Sequence, residues 1–268
     1  MAVISLMTDF GIKDGNVGVM KGVIWSIVPL AQISDLSHMV AAQNVREAAL
    51  ILARSAPYFP DDSIHVVVVD PGVGTARRPM AARLGRQYYV GPDNGTITIL
   101  LEYAEKAGWS VECIHLTKPE FWLSQISHVF HGRDIFSPVA AHLASGTPLS
   151  DLGDRFDDPV RLILPRPGRT ASGWVGEIVH VDHFGNLASN IRIEDLGESF
   201  NEMDKITVCV NHAEIHGLVH TFGERPAGAL VALLGSTGNL IVSVVNGSAL
   251  AQLETKIGDI VEVIVDKK

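Results

Sequence analysis

Four consecutive valines, Val66–Val69, run straight into Asp70 in the stretch HVVVVDPGVGTARRP, His65 to Pro79. A β-branched run without alternation is what a strand buried on both faces looks like, and such strands belong to sheets covered by helices on each side. The run therefore commits this part of the chain to an α/β layer. It also poses a question of chemistry. A buried strand ends in a carboxylate, a glycine-rich loop follows, and two adjacent guanidiniums, Arg77 and Arg78, come next.

The segments around the run agree with that layer. AVISLM (Ala2–Met7) reads as a first strand, and Val17–Val28 places Val17, Met20, Ile24 and Ile27 at helical spacing before Pro29. AQISDL is a short strand, and NVREAALILAR (Asn44–Arg54) is a helix with an asparagine at its start. QYYVGPDNG is a strand ending in a turn, TITILLEYAEKAG a helix, WSVECIHL a strand, and Asp134–Gly146 a helix closed by glycine. Strands alternating with helices predict a mostly parallel sheet.

The texture changes at Asp157–Gly173, where three prolines and two glycines interrupt any helical periodicity. Beyond it WVGEIVHVD, KITVCVN, ALVALLG, NLIVSVVN and DIVEVIVD are short apolar runs separated by turn residues, the pattern of a small barrel or sandwich. The expected organisation is an α/β N-terminal domain over 1–160, a linker over 161–172 and a smaller all-β, barrel-like C-terminal domain over 173–268.

Charge narrows the partners. With 21 Lys+Arg against 30 Asp+Glu the formal charge is −9, which argues against phosphate-driven nucleic-acid binding. The N-terminal MAVISLMTDFG has no basic region of a signal peptide, and no apolar segment approaches the ~20 residues that span a bilayer. Cys113 and Cys209 lie in strand-like runs outside any C-x-x-C pattern and read as free thiols in a reducing compartment. A cytoplasmic protein without membrane or nucleic-acid partners is expected.

Four stretches carry candidate chemistry. Ligands of open α/β sheets bind outside the carboxyl ends of the strands, which is where Asp9 (in TDFG) and Asp70 fall; either residue could equally shape a turn before its Gly or Pro. PGVGTARR begins like a phosphate loop, but the lysine and the third glycine are missing and Pro79 stands where a helix would open, so both nucleotide-loop assignments fail. What remains is a loop able to carry Arg77 or Arg78 back towards Asp70 in a directional ion pair. SHVFHGRDIFSP (Ser127–Pro138) offers His128 and His131, residues that titrate near neutrality, and with Asp134 they match no zinc spacing. VDHFGNLASNI (Val181–Ile191) is either a tight turn or a place to stack and hydrogen-bond a heterocycle.

Taken together and in order, TDFG, VDPGVGTARR, GPDNG, FHGRDIF and DHFGNLASNI resemble the S-adenosyl-L-methionine (SAM) hydroxide adenosyltransferases, also called SAM hydrolases, relatives of the fluorinase and chlorinase. The resemblance covers nearly the whole chain. It implies an α/β domain followed by a β-barrel, a homotrimer with SAM bound where the N-terminal domain of one subunit meets the C-terminal domain of the next, and hydrolysis of SAM to adenosine and L-methionine with neither metal nor cofactor. By motif position it implies that Asp70, Arg77 and His131 handle the water, with Arg78 and His128 as bystanders. Asp9 matches the carboxylate that binds the ribose hydroxyls, Asp182 and Ser236 the residues at the methionine end, and Phe184 and Asn186 those at the adenine. Asn246 and Gly247, in VVNGSA, fall where backbone groups meet the adenine edge.

Departures separate the relatives. The fluorinase has Tyr at the position of Asp70, Thr at that of Val73 and Ser at that of Gly132; the chlorinase also lacks the Asp and Arg. A carboxylate beside the nucleophile repels halide, so the set Asp70, Arg77 and His131 implies water as nucleophile. Thr237 stands where the fluorinase carries an arginine, which leaves the methionine carboxylate without that contact. Two other classes stand beside the hydrolase: a SAM- or adenosine-binding sensor that does not turn over, and a metal-dependent hydrolase built on HGRD.

Overall fold

The structure, a computed structural model, describes residues 2–265, the side chains of 198, 199 and 201 excepted. The chain divides into two compact units at Leu162/Ile163.

The N-terminal unit contains β1 (Val3–Thr8), α1 (Asn16–Ile27), β2 (Gln32–Ser37), α2 (Val45–Ser55), β3 (Ile64–Val68), β4 (Pro79–Leu84), β5 (Gln87–Pro92), α3 (Thr98–Ala107), β6 (Val111–Leu116), α4 (Ser137–Ala144) and β7 (Gly153–Phe156). Its sheet has the order β2-β1-β3-β5-β4-β6-β7. Strands β2, β1, β3 and β5 pair in parallel, whereas β4 pairs antiparallel with β5 and β6, and β7 antiparallel with β6. The sheet is thus mixed rather than mostly parallel in its pairings. The difference lies in β4, whose PMAARL holds no β-branched residue and gives no strand signal of its own. It is a strand because β5 and β6 flank it, and Met80, Ala81 and Ala82 are buried there.

The valine run sits where the sequence puts it. β3 is central, between β1 and β5. Val66 and Val68 pack on one face with Met20 and Ile24 of α1 and Val139 and Ala140 of α4; Val67 and Val69 pack on the other with Leu52 of α2 and Leu101 of α3. Burying each valine contributes roughly 1.5–3 kcal/mol. Local signals also hold elsewhere: Asn44 caps α2 by accepting from the Glu47 N–H at 3.0 Å, and Gly108 closes α3 in the left-handed conformation.

Residues 134–144 are helical, as expected, with Gly146 at positive φ beyond the end, but the helix is not uniformly α. A π-type turn over Gly132–Phe136 precedes α4. Pro138 has no N–H to donate backwards, so the helical ladder cannot run through this point unchanged. The Asp134 carbonyl instead accepts from Leu123 N–H at 2.9 Å, and Ser137 Oγ donates to the Gly132 carbonyl at 2.7 Å.

The C-terminal unit contains β8 (Gly168–Arg169), β9 (Gly173–Val181), β10 (Leu187–Arg192), α5 (Ile193–Leu196), β11 (Ile206–Val210), β12 (Ala213–His216), β13 (Leu230–Leu234), β14 (Asn239–Val244), α6 (Ala249–Leu253) and β15 (Ile260–Val265). The sheet order is β12-β11-β15-β9-β10-β14-β13, all antiparallel, with β8 beside β9. Just beyond β12, Leu218 makes an isolated parallel bridge with Ala232 of β13, the other edge strand, and Val219 N–H donates to the Ala232 carbonyl at 2.9 Å. The unit is strand-rich and nearly barrel-shaped, but α5, α6 and a 3₁₀ stretch (Gly197–Lys205) interrupt an all-β description. Its apolar core includes Trp174, Ile178, Ile191, Val208, Leu240 and Val263.

Candidate active site

Topology places the site. From β1 the chain moves to β2 on one side and then to β3 on the other, so the β1/β3 boundary is the switch point where crevices open at the carboxyl ends of parallel strands. Thr8 pairs with Val68 at that edge, and the next residues out are Asp9 and, two further on, Asp70.

The loop after Asp70 folds back. Val73 N–H donates to the Asp70 carbonyl at 3.2 Å, and Thr75 N–H to that of Gly72 at 3.1 Å, two successive tight turns. Gly74, at φ +73°, packs so closely on the backbone of His128 that a Cβ would run into its carbonyl oxygen. The turns return Arg77 to Asp70. Arg77 Nε lies 3.0 Å from each Asp70 carboxylate oxygen, and Nη2 donates to Oδ2 as well. The same Nη2 lies 2.9 Å from His131 Nδ1. The pair is almost wholly buried, with 10% of the Arg77 side chain and 4% of the Asp70 side chain exposed. Replacing a buried ion pair by apolar residues is often neutral or stabilising, so stability alone does not account for this one.

The wall around the pair is apolar. The Arg77 guanidinium lies 5.3 Å from the centroid of the Phe136 ring. Gly132, next to His131, approaches Met20 Sδ and Val68 Cγ1, each 3.3 Å from where a Cβ would stand, so a side chain there would crowd both. Arg77 Nη1 is buried without a hydrogen-bond partner among the described residues. An unspent guanidinium donor in such a place costs free energy unless something accepts from it.

His131 answers to this environment. Burial first, and then the Arg77 charge, lower its pKa below the usual 6.5, with Asp70 and Asp134 acting the other way. Arginine is only a donor, so Nδ1 facing it holds the lone pair and the ring proton of the neutral form sits on Nε2.

Arg78 points elsewhere. Its Nε donates to Asp93 Oδ2 at 2.9 Å, its Nη1 to Asp158 Oδ1 at 2.7 Å, and its guanidinium lies 4.2 Å from the Phe156 ring centroid. Asp134, fully buried, accepts from Ser127 N–H at 2.7 Å and from Arg133. Among the described residues no three His, Cys, Asp or Glu side chains converge as a metal site. Asp9 accepts from Gln43 N–H at 2.8 Å through Oδ2.

The other predicted site residues lie in the C-terminal unit. Asp182, directly after β9, builds a turn: Oδ1 accepts from Phe184 N–H and Asn186 N–H, both at 2.9 Å, and Oδ2 from Asn186 Nδ2 at 2.7 Å. The turn leaves the Phe184 ring 73% exposed. The reading of DHFGN as a tight turn therefore holds, and the turn also presents an aromatic face. Ser236 and Thr237 occupy the β13–β14 connection, where Thr237 Oγ1 donates to Asn239 Oδ1 at 3.1 Å. Asn246 sits at φ +54°, in the turn closed by Gly247 N–H donating to the Val244 carbonyl at 3.0 Å. Cys113 is buried in β6 and Cys209 only half-buried in β11, and both are free. No described helix is long and apolar enough to cross a membrane.

Comparison with known proteins meets this geometry. The N-terminal domain of the SAM hydroxide adenosyltransferases matches residues 4–153, and their C-terminal domain matches 176–262. An (R)-S-adenosyl-L-methionine hydrolase of Salinispora tropica is 40% identical over 261 residues, 96% of this chain and 95% of that one. A protein of the same name from Thermus thermophilus is 40% identical over 263 residues, covering 96% and 98%. A fluorinase of an Actinoplanes species is 28% identical over 221 residues, covering 72% and 73%. Among solved structures, an uncharacterized conserved protein from Thermotoga maritima superposes with a TM-score of 0.91 at 36% identity, over 98% of this chain and 100% of that one.

Proposed function

The chain belongs to the SAM hydroxide adenosyltransferase family, and from that premise we propose that it hydrolyses SAM to adenosine and L-methionine, with Asp70, Arg77 and His131 holding the attacking water. The observation that carries the assignment of residues is the Arg77 guanidinium bridging Asp70 and His131 at the carboxyl edge of β3.

The reaction asks little of the leaving group. Carbon 5′ of SAM bears a sulfonium, so the C5′–S electron pair departs with sulfur as a neutral thioether and needs neither proton nor metal. Water is the weak partner. Its oxygen attacks C5′ in line, its proton must be taken, and its developing negative charge must be stabilised. Arg77 Nη1, buried and unpartnered, is a donor suited to that oxygen. His131 Nδ1 is engaged by Arg77 and Nε2 carries the ring proton, so the neutral imidazole orients the water while Asp70, whose carboxylate has acceptor positions to spare, takes the proton. Exclusion of bulk water strengthens each of these interactions.

Asp9 suits the ribose hydroxyls, having one carboxylate oxygen free of the Gln43 contact. Phe184 and Asn186 suit the adenine, Asn246 and Gly247 its edge, and Asp182 and Ser236 the methionine end. We place the two sets together in a homotrimer, the N-terminal unit of one subunit facing the C-terminal unit, read as a barrel, of the next. The relatives' names specify the (R) sulfonium, and we extend that preference to this chain. A cytoplasmic setting suits its two free thiols.

The test is SAM of each sulfonium configuration, incubated with purified protein and excess EDTA, with adenosine and methionine followed by chromatography. Multiple turnovers, faster on the (R) form, are expected. Stoichiometric binding without products would make the chain a sensor, and loss of turnover with EDTA a metal enzyme. Analytical ultracentrifugation should give the trimer mass; a monomer with full turnover would remove the shared-site arrangement.

A further inference from the structure

The turn GPDNG has no part in the chemistry above, yet it lies directly beneath the loop that carries it. In the sheet β5 stands between β3 and β4, so the chain leaving β3 at Asp70 must cross the carboxyl end of β5 to enter β4 at Pro79. Asp93 and Asn94 follow β5 at that crossing.

The two residues grip the loop at its two ends. Asn94 Nδ2 donates to the Val69 carbonyl at 2.8 Å, the peptide immediately before Asp70. Its own Oδ1 is fixed by Thr96 Oγ1 at 2.7 Å. Asp93, 4% exposed, takes the far end. Its N–H donates to the Arg78 carbonyl at 2.9 Å, and its Oδ2 accepts from Arg78 Nε at 2.9 Å and Nη2 at 2.8 Å. Its Oδ1 accepts from Val160 N–H at 2.8 Å. The residue before the carboxylate and the residue after Arg77 are thus anchored to adjacent positions of one rigid turn.

We infer that Arg78, Asp93 and Asn94 are positioning residues that set the separation and orientation of Asp70 and Arg77. The inference rests on the reading of that pair as the water-holding group. An intervening loop of two tight turns would by itself let Arg77 swing on a long side chain; footings one residue outside each partner remove that freedom. Displacements of about 1 Å at a reacting group cost roughly 100-fold in rate, so a clamp acting on geometry alone should show in kcat and spare KM.

The experiment compares Arg78→Lys, Asp93→Asn and Asn94→Ala with Asp70→Asn and with Arg86→Ala, which removes only the exposed Arg86–Asp61 pair. SAM hydrolysis is measured at a temperature where near-ultraviolet circular dichroism shows each variant fully folded. Arg78→Lys keeps the charge opposite Asp93, so it carries the test should Asp93→Asn fail to fold. The clamp variants should lose ~10- to 100-fold in kcat with KM within ~3-fold, and Arg86→Ala should match wild type. A kcat within ~2-fold of wild type in the folded clamp variants, or a loss that follows the folded fraction or appears in KM alone, overturns the inference. Wild-type kcat in Asp70→Asn would instead overturn the site reading on which it rests.

Discussion

Two aspartates in this molecule stand at the same kind of place and do different work. Asp70 follows β3 and Asp182 follows β9, each leading into a glycine-containing loop. Asp182 accepts three hydrogen bonds from its own turn, two of them from backbone N–H groups within four residues. Asp70 turns to Arg77 and through it to His131, fifty-four residues further along from that arginine. A carboxylate that satisfies its own loop needs nothing beyond it. One that is buried against a distant cation depends on that partner, since removing either charge leaves the other buried and uncompensated. On the proposed reading the contrast separates a residue that builds its own turn, Asp182, from one that acts on the water, Asp70.

On the proposed reading Asp70→Asn removes the proton acceptor but keeps the shape, and kcat should fall about 1,000-fold in a steady-state adenosine assay run where the variant is fully folded, while the buried Arg77 left without its partner lowers stability by about 3–5 kcal/mol. A fall below tenfold would take Asp70 out of the proton transfer. Acid should then act on the N-terminal unit through His65, buried in β3 and hydrogen-bonded to Ser5 at 2.7 Å. Burial lowers its pKa to about 4, so the fold holds it neutral while the unfolded chain protonates it from pH 6.5 downwards. Its contribution is complete above pH 6.5 and is lost between there and about pH 4, up to about 3 kcal/mol. Urea unfolding at pH 7 and pH 4.5 should show this loss, and His65→Gln should flatten it.

Asp182→Ala should cost about 1–2 kcal/mol in urea unfolding, the worth of a turn-forming acceptor set. It should raise KM by loosening the Phe184 turn and leave the pH dependence of kcat unmoved. A pH-dependent loss of kcat would make Asp182 an acting residue after all. His131 should govern the acid limb of the kcat profile: its pKa is lowered, so the limb lies below pH 6.5. A limb at or above 6.5 that persists in His131→Ala would assign it to another group.

Much of this was legible in the chain itself. Val66–Val69 predicted a doubly covered central strand, and the acid after it predicted a polar site at the strand edge; both follow from burial, which leaves a mark on composition. Spacing alone left Arg77 and Arg78 open and only the family resemblance picked Arg77 as Asp70's partner; the local chain could not, because Arg78 is drawn away by Asp93 and Asp158, fifteen and eighty residues beyond it. β4 was silent for a related reason, since Met80, Ala81 and Ala82 become a strand only through neighbours on both sides. The π-type turn at Gly132–Phe136 had one local signal, Pro138, but a proline announces that a helix is perturbed without saying how.

The most direct measurement is hydrolysis of SAM in water enriched in oxygen-18, with the adenosine analysed by mass spectrometry. In-line attack of the water held by Asp70, Arg77 and His131 at C5′ predicts one heavy oxygen per adenosine, located on the 5′-hydroxyl, over many turnovers. Adenosine without the label, or no adenosine beyond one per subunit, would contradict it.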